Sequence, residues 1–180
     1  MSKLPIFPTP QPQQHEELIL VGFRVNGDAE GPQFYTMLAV GGDNERPLTA
    51  DGLILFFTHQ NLAESTLALD SSLRHLAPAP SEIETFCDVA EALHLVNSQD
   101  VDDDGVVLEC LLMFDDLVRA TRLHMPDEYQ GVLTELTARL TEGRHLRDFF
   151  KKSRELRTEV EDALLWCIGA ITAKSRMLTR

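Results

Sequence analysis

The sequence predicts an α+β fold, in which a small three-stranded, mainly antiparallel N-terminal sheet packs with a C-terminal region of four or five helices. Two observations support this prediction. Leu53–Phe57 is a run of five large apolar residues behind an Asp-Gly turn signal, and a run without polar alternation is typical of a strand buried on both faces. After residue 81, the apolar residues recur instead at the spacing of amphipathic helices.

Two alternating segments precede the buried run and supply its predicted neighbours. Apolar residues occupy every second position from Ile19 to Val25, and a similar alternation runs from Phe34 to Val40. This period of two indicates strands. The segments 26–32 and 41–47 are rich in Gly, Asn, Asp and Pro, so we expect a turn and a connector there. After the buried run, the pattern from Leu62 to Leu69 predicts a short helix that returns over the sheet.

The second half of the chain predicts a series of helices. Ser81-Glu82-Ile83-Glu84 follows a proline and has the form of a capping box, which predicts a helix start at that point. Further helices are expected over 106–121 and from Pro126 to about Gly143. From Arg144 to the C-terminus the pattern remains helical, as one helix or as two broken near Ser153.

These elements predict one folded domain behind a leader. Residues 1–16 carry four prolines, and we expect a disordered proline-rich leader; a strap of Leu4, Ile6 and Phe7 across a partner surface is the alternative. Residues 17–180 form the predicted α+β domain, with a β-rich part over 17–70, a hinge over 71–80 and a helical part over 81–180.

The charge of the chain restricts its partners. The 180 residues include 16 Lys and Arg and 29 Asp and Glu, a net charge of −13, which disfavours nucleic acid and anionic membrane surfaces as partners. The excess is uneven, because residues 139–180 hold ten basic and six acidic residues, a net +4, whereas residues 1–138 carry a net −17. This distribution favours docking of the basic C-terminal part on the acidic part, in the same chain or in a second copy.

The cysteines and the apolar runs predict a cytoplasmic protein. Cys87, Cys110 and Cys167 are widely spaced and odd in number, a pattern typical of reduced thiols rather than a disulfide framework. The N-terminus lacks the apolar core of a signal peptide, and no apolar run approaches the length of a membrane span.

One acidic segment resembles part of a calcium site. Asp100, Asp102 and Asp104 precede Gly105 at the spacing of the first half of an EF-hand loop, but Leu111 stands where that loop needs a bidentate carboxylate. The other interpretation is that these carboxylates cap the following helix. The sequence therefore predicts helix capping, with weak divalent-metal binding through Asp100, Asp102 and Asp104 as the alternative.

Two sets of residues in the C-terminal region are predicted to contact proteins. Four cations share one side of a predicted helix, and they are interpreted either as a solvated face or as a contact for acidic protein: Arg144, Arg147, Lys151 and Arg154. Leu165 and Trp166 lie off the main apolar stripe of the last helix, so that helix is apolar around most of its circumference. Such a helix needs cover on nearly every side, and we expect a homodimer to provide it.

The predicted function follows from these features. No catalytic set and no cofactor motif is visible, which favours a non-enzymatic, acidic protein-interaction module: an adaptor, a small chaperone or a neutraliser of a basic partner. The alternative is a protein that binds a small molecule or a divalent metal, using the Asp100–Asp104 loop or a pocket near His59, which follows the buried strand.

Overall fold

The structure is a computed structural model that describes residues 17–41, 44–69, 78–98, 104–151, 153 and 155–179. Over these residues the protein is α+β, with a mixed seven-stranded sheet and six helices. The predicted leader and most of the predicted hinge lie outside them. The strands are β1 (Glu17–Arg24), β2 (Phe34–Gly41), β3 (Asn44–Pro47), β4 (Thr49–Ala50), β5 (Leu53–Phe57), β6 (Ile83–Asp88) and β7 (Ser175–Leu178).

The six helices pack on the two faces of the sheet. They are α1 (Leu62–Leu69), α2 (Val89–Asn97), α3 (Asp104–Thr121), α4 (Asp127–Thr141), α5 (Leu146–Phe150) and α6 (Glu155–Ala173). α1 lies on one face and the others lie on the opposite side. The predicted break near Ser153 is present, because α5 and α6 are separate helices. The chain does not stay helical to its end, however, since residues 175–178 form β7.

The strand order is β4-β5-β2-β1-β6, with β3 beside β2 and β7 beside β5. β1 pairs antiparallel with β2 but parallel with β6, and β5 pairs parallel with β7. The predicted sheet of three mainly antiparallel strands is therefore smaller than the observed sheet. The prediction also lacks the two parallel pairings, of β1 with β6 and of β5 with β7. Four further strands enlarge the sheet. Three of them belong to segments predicted as a connector (44–47), a helix start (83–88) and a helix end (175–178), and β4 lies in residues for which no element was predicted.

The helix predicted from a cap at Ser81 begins seven residues later than expected. Asp88 is the N-cap of α2, since its Oδ1 accepts a hydrogen bond from the Glu91 amide at 3.0 Å. The preceding residues include Ile83, Thr85 and Phe86, which are β-branched or aromatic and suit a strand. The free edge of β1 gives them a partner, and this long-range pairing overrides the local capping signal.

The buried run behaves as predicted. Ile54 and Phe56 of β5 pack with α2, α3 and α6 in one core cluster, and Leu55 and Phe57 pack on the other face with residues of α1. Leu55 is 2% exposed and Phe57 is fully buried. β5 is therefore covered on both faces, with the larger core on the helical side.

Candidate functional site

The edge strand β6 exposes both apolar and acidic side chains. It is the last strand in the sheet order, and β1 is its neighbour on one side. Ile83 is 36% exposed and Phe86 is 40% exposed, while the neighbouring side chains of Glu82 and Glu84 are also exposed. Among the described residues, no strand pairs with the other side of β6. An unpaired strand edge offers backbone donors and acceptors to a further strand, so this acidic edge is a candidate binding surface.

Gly22 of β1 creates an apolar shelf beside this edge. In the parallel pairing, Gly22 lies opposite Phe86 and Leu20 lies opposite Ile83. A Cβ atom on Gly22 would stand 2.9 Å from Cγ of Pro32 and 3.5 Å from Cγ2 of Ile83. The missing side chain therefore lets Pro32 pack against the sheet. Pro32, Ile83 and Phe86 together form an apolar surface next to Glu82 and Glu84, which we call the shelf.

The end of β6 is fixed by polar contacts. The Asp88 carboxylate forms an ion pair with Arg24, its partner across β1 and β6, and also caps α2. Nη1 of Arg24 lies 3.4 Å from the carbonyl oxygen of Ala29, to which it donates a hydrogen bond. These contacts hold the carboxyl end of the strand in place while the Ile83–Phe86 part stays exposed.

Two cysteines meet beneath this edge. Sγ of Cys87, on β6, lies 3.1 Å from Sγ of Cys110, on α3, and both thiols are free and buried. The hydrogen bond with Cys110, followed by burial, raises the pKa of the Cys87 thiol far above its usual range. Cys167 stands apart on α6, where burial raises the pKa of its thiol to about 12.

A second surface is an apolar cleft between the sheet and α6, which we call the seam cleft. Its volume is about 320 Å³. Val25 and Met177, which are 48% and 42% exposed, lie at its rim. Its other lining residues come from strands β1, β2, β5 and β7 and from helices α2, α3 and α6: Phe23, Phe34, Phe56, Val89, Phe114, Leu117, Ile168, Ile171, Thr172 and Ser175.

A wider groove, of about 560 Å³, lies between α3 and α4. Leu112, 51% exposed, and Leu123, 39% exposed, stand on its sides, and Cys167 of α6 also lines it. Arg119 lines the same groove and pairs with Asp115 and with Asp116, the latter at 3.3 Å. The groove is therefore more polar than the seam cleft.

Asp104 is the one carboxylate of the acidic segment that the structure describes, and it contacts the start of α5. Oδ1 of Asp104 accepts a hydrogen bond from the Leu146 amide at 2.9 Å, and its Oδ2 lies 2.7 Å from Nδ1 of His145. Asp104 thus lies in the first turn of α3 and also caps α5, which is distant in sequence. Asp100 and Asp102 lie outside the described residues. Among the residues that are described, no group of three His, Cys, Asp or Glu side chains is placed to hold a metal ion.

The four predicted cations do not share one helix. Arg144 precedes α5 and pairs with Glu142 at 3.1 Å, Arg147 lies within α5, and Lys151 follows α5 and pairs with Asp148 at 2.6 Å. Arg154 lies outside the described residues. Arg144 and Lys151 therefore flank the short helix α5 and form local ion pairs.

The remaining predicted residues are also dispersed. Leu165 is 49% exposed on α6, whereas Trp166 is partly buried against the main core. His59 is exposed after β5 and is not among the residues that line either concavity. The acidic edge was not predicted, because residues 81–84 were interpreted as a capping box at a helix start. The neighbouring Ile83, Thr85 and Phe86 were the available signal of a strand.

Comparisons with known proteins show the fold and no family. No protein-family model and no curated protein matches the chain. The crystal structure of the C-terminal domain of SatS in complex with bromine is similar, with a TM-score of 0.61 over 91% of this chain and 94% of that chain, at 13% sequence identity. At that identity the likeness concerns the fold alone. Within the described residues, none of the helices is long and apolar enough to span a membrane.

Proposed function

We propose that the protein is an acidic protein-interaction module whose β6 edge binds an extended, positively charged segment of a partner protein. The observation that carries the proposal is the exposure of Ile83, Glu84 and Phe86 on the edge strand β6, together with Glu82 immediately before it. In this mode the partner segment adds a strand to the sheet, so that backbone hydrogen bonds provide affinity and side chains provide selectivity.

The acidic side chains favour a cationic partner over a second copy at this edge. If two β6 strands paired with each other, Glu82 and Glu84 of one copy would lie close to the same carboxylates of the other. Like charges on paired strands destabilise a sheet. Lys or Arg on the incoming segment would instead neutralise them, and the net charge of −13 would increase the rate of encounter.

The shelf supplies the apolar part of the binding energy. Phe86 and Ile83 are more than one third exposed, and an incoming strand with apolar residues between its cations would cover them. Burial of apolar area stabilises by about 25 cal/mol per Å². This arrangement suits an adaptor, a small chaperone or a neutraliser of a basic partner, acting in the cytoplasm without a cofactor.

The test uses a fluorescent peptide of about eight residues in which Lys and Val alternate, followed by fluorescence anisotropy. We expect saturable binding that weakens as salt is added. A Glu-Val peptide of the same length should not bind. The same Lys-Val peptide with N-methyl groups on alternate amides should bind much more weakly, because it keeps its charge and loses backbone donors.

Two protein variants locate the site. Glu82→Lys combined with Glu84→Lys should abolish binding, whereas Glu128→Lys combined with Glu159→Lys, an equal charge change at exposed helical positions, should leave most of it. Phe86→Ser should weaken binding several-fold. Equal affinity for the N-methylated peptide, or equal losses in both charge variants, would show attraction by net charge alone and overturn the proposal.

The alternative function, a small-molecule-binding protein, is favoured by the seam cleft. Its volume of about 320 Å³ and its apolar lining suit a compact apolar ligand. Decanol, a simple apolar probe, should then raise the melting temperature of the wild type, and Met177→Arg at the rim should remove that rise. No rise with decanol would exclude this use of the cleft.

A further inference from the structure

The two thiols beneath the acidic edge are positioned to react with each other. Their sulfur atoms are 3.1 Å apart, about 1 Å farther than in a disulfide bond. Cys87 and Cys110 are each 1% exposed, so the core holds both side chains in place. The contact joins β6, the last strand of the sheet, to the middle of α3.

We propose that an oxidant of the peroxide class converts Cys87 and Cys110 into a disulfide bond that fastens the edge strand to α3. The inference goes beyond the proposed function and does not depend on it. One thiolate attacks a peroxide oxygen, which yields a sulfenic acid and, with hydrogen peroxide, one water molecule. The second thiol then attacks that sulfur, the S–S bond forms, and a second water molecule leaves. The two thiols lose two electrons, and the peroxide is reduced to water.

Burial determines how fast this reaction proceeds. A thiol reacts as its thiolate, and both thiols are screened from solvent. Access therefore requires local opening, and β6 is suited to it because, among the described strands, it pairs only with β1. We expect slow oxidation in the native protein that becomes faster when β6 opens more often.

The position of the third cysteine predicts selectivity. Cys167 lies on α6 and lines the groove between α3 and α4, whereas the described thiol contact is the one between Cys87 and Cys110. The sequence also simplifies detection, because there is no Lys or Arg between His75 and Arg119. Trypsin therefore leaves both reacting cysteines in the single peptide 75–119.

The experiment treats the full chain with hydrogen peroxide, alkylates free thiols in denaturant and analyses the tryptic peptides by mass spectrometry. We expect peptide 75–119 to resist alkylation and to be lighter than its reduced form by two hydrogen atoms. Cys167 should remain available for alkylation. Dithiothreitol should restore both alkylation sites, which distinguishes a disulfide from sulfinic or sulfonic acid.

Stability provides a second measurement. The bond would close a loop that contains α2, and restriction of the unfolded chain should raise the melting temperature by roughly 5–10 °C. The rise should occur in the wild type and in Cys167→Ala, but not in Cys87→Ala or Cys110→Ala. The proposal is wrong if prolonged peroxide treatment of the folded protein leaves peptide 75–119 with two alkylatable thiols, while the same treatment of the denatured chain forms the bond. Conversion of either thiol directly to a sulfinic acid would also overturn it.

Discussion

Asp104 and His145 join the start of α3 to the start of α5, with 2.7 Å between the Asp104 carboxylate and Nδ1 of the imidazole. The same carboxylate accepts the amide hydrogen bond of Leu146 at 2.9 Å. One side chain therefore satisfies polar groups that lie more than forty residues further along the chain. It positions α5 for burial of Leu146, Phe149 and Phe150.

Replacement of this carboxylate should destabilise the protein. Asp104→Ala removes both acceptors, and we expect the free energy of unfolding to fall by about 1–2 kcal/mol, as for loss of a helix N-cap. Urea denaturation measures it. Asp104→Asn keeps one acceptor oxygen and should lose less. Equal losses in the two variants would mean that the hydrogen bonds do not determine the effect.

We expect no saturable calcium-binding site with micromolar affinity. Because Asp104 caps α5, it is not free to complete a calcium loop with Asp100 and Asp102. Isothermal titration calorimetry should detect only weak effects of millimolar calcium. A saturable heat at micromolar calcium that disappears in Asp102→Ala would support the metal-binding alternative instead.

The charge on Asp116 should cost stability at neutral pH. Burial raises the pKa of its carboxyl from 3.8, even though Arg119 lies 3.3 Å away and opposes the shift. Because the folded state binds this proton more tightly than the unfolded state, the free energy of unfolding falls as the pH rises from about 3.8 through the folded pKa.

Asp116→Asn should therefore raise the melting temperature at pH 7, and the gain should shrink as both proteins are acidified below the pKa of the unfolded chain. Asp115→Asn is the matched control, since its exposed carboxylate pairs with the same Arg119. Calorimetric scans across this pH range measure both variants. A larger gain in Asp115→Asn would contradict the role of burial.

Self-association through α6 remains a proposal that light scattering can test. We expect a dimer of the wild type at micromolar concentration. Leu165→Glu should dissociate it without lowering the melting temperature, because Leu165 is 49% exposed. Trp166→Glu should also lower stability, since Trp166 packs against the core. Leu112→Glu, at a similarly exposed leucine in the α3–α4 groove, should leave a dimer; a monomeric wild type would refute the idea.

The leader is expected to contribute little to stability. Residues 1–14 include four prolines and no packing periodicity, so deletion of this segment should leave the melting temperature nearly unchanged. Differential scanning calorimetry of the full and truncated chains makes the comparison. A drop of many degrees would show that the leader is part of the folded core.

The parts of the fold that local patterns determine could be predicted. α3 and α4 have sustained apolar stripes, and β5 is an uninterrupted apolar run, so each was assigned correctly in type and position. β6 was missed because its conformation depends on β1, more than sixty residues earlier. β7 was missed for a similar reason, since four residues after a long helix carry no periodic signal of their own.

The candidate site was less predictable than the fold. Residues 81–84 match a capping box, so only the pairing of β6 reveals that Glu82 and Glu84 lie exposed at a sheet edge. The Cys87–Cys110 contact likewise depends on how β6 packs against α3. The contact of Asp104 with the start of α5 could not be predicted either, because His145 and Leu146 are more than forty residues away in sequence.

The pairing of β5 with β7 affects how the chain folds during its synthesis. The amide of Ile54 donates to the Lys174 carbonyl at 2.8 Å, and the amide of Thr58 donates to the Leu178 carbonyl at 3.2 Å. At about 5–20 residues per second, a ribosome needs on the order of ten seconds to make the residues between these partners. Throughout that interval the outer edge of the apolar strand β5 lacks its partner β7. We therefore expect a nascent or truncated chain to be prone to aggregation until β7 has been made.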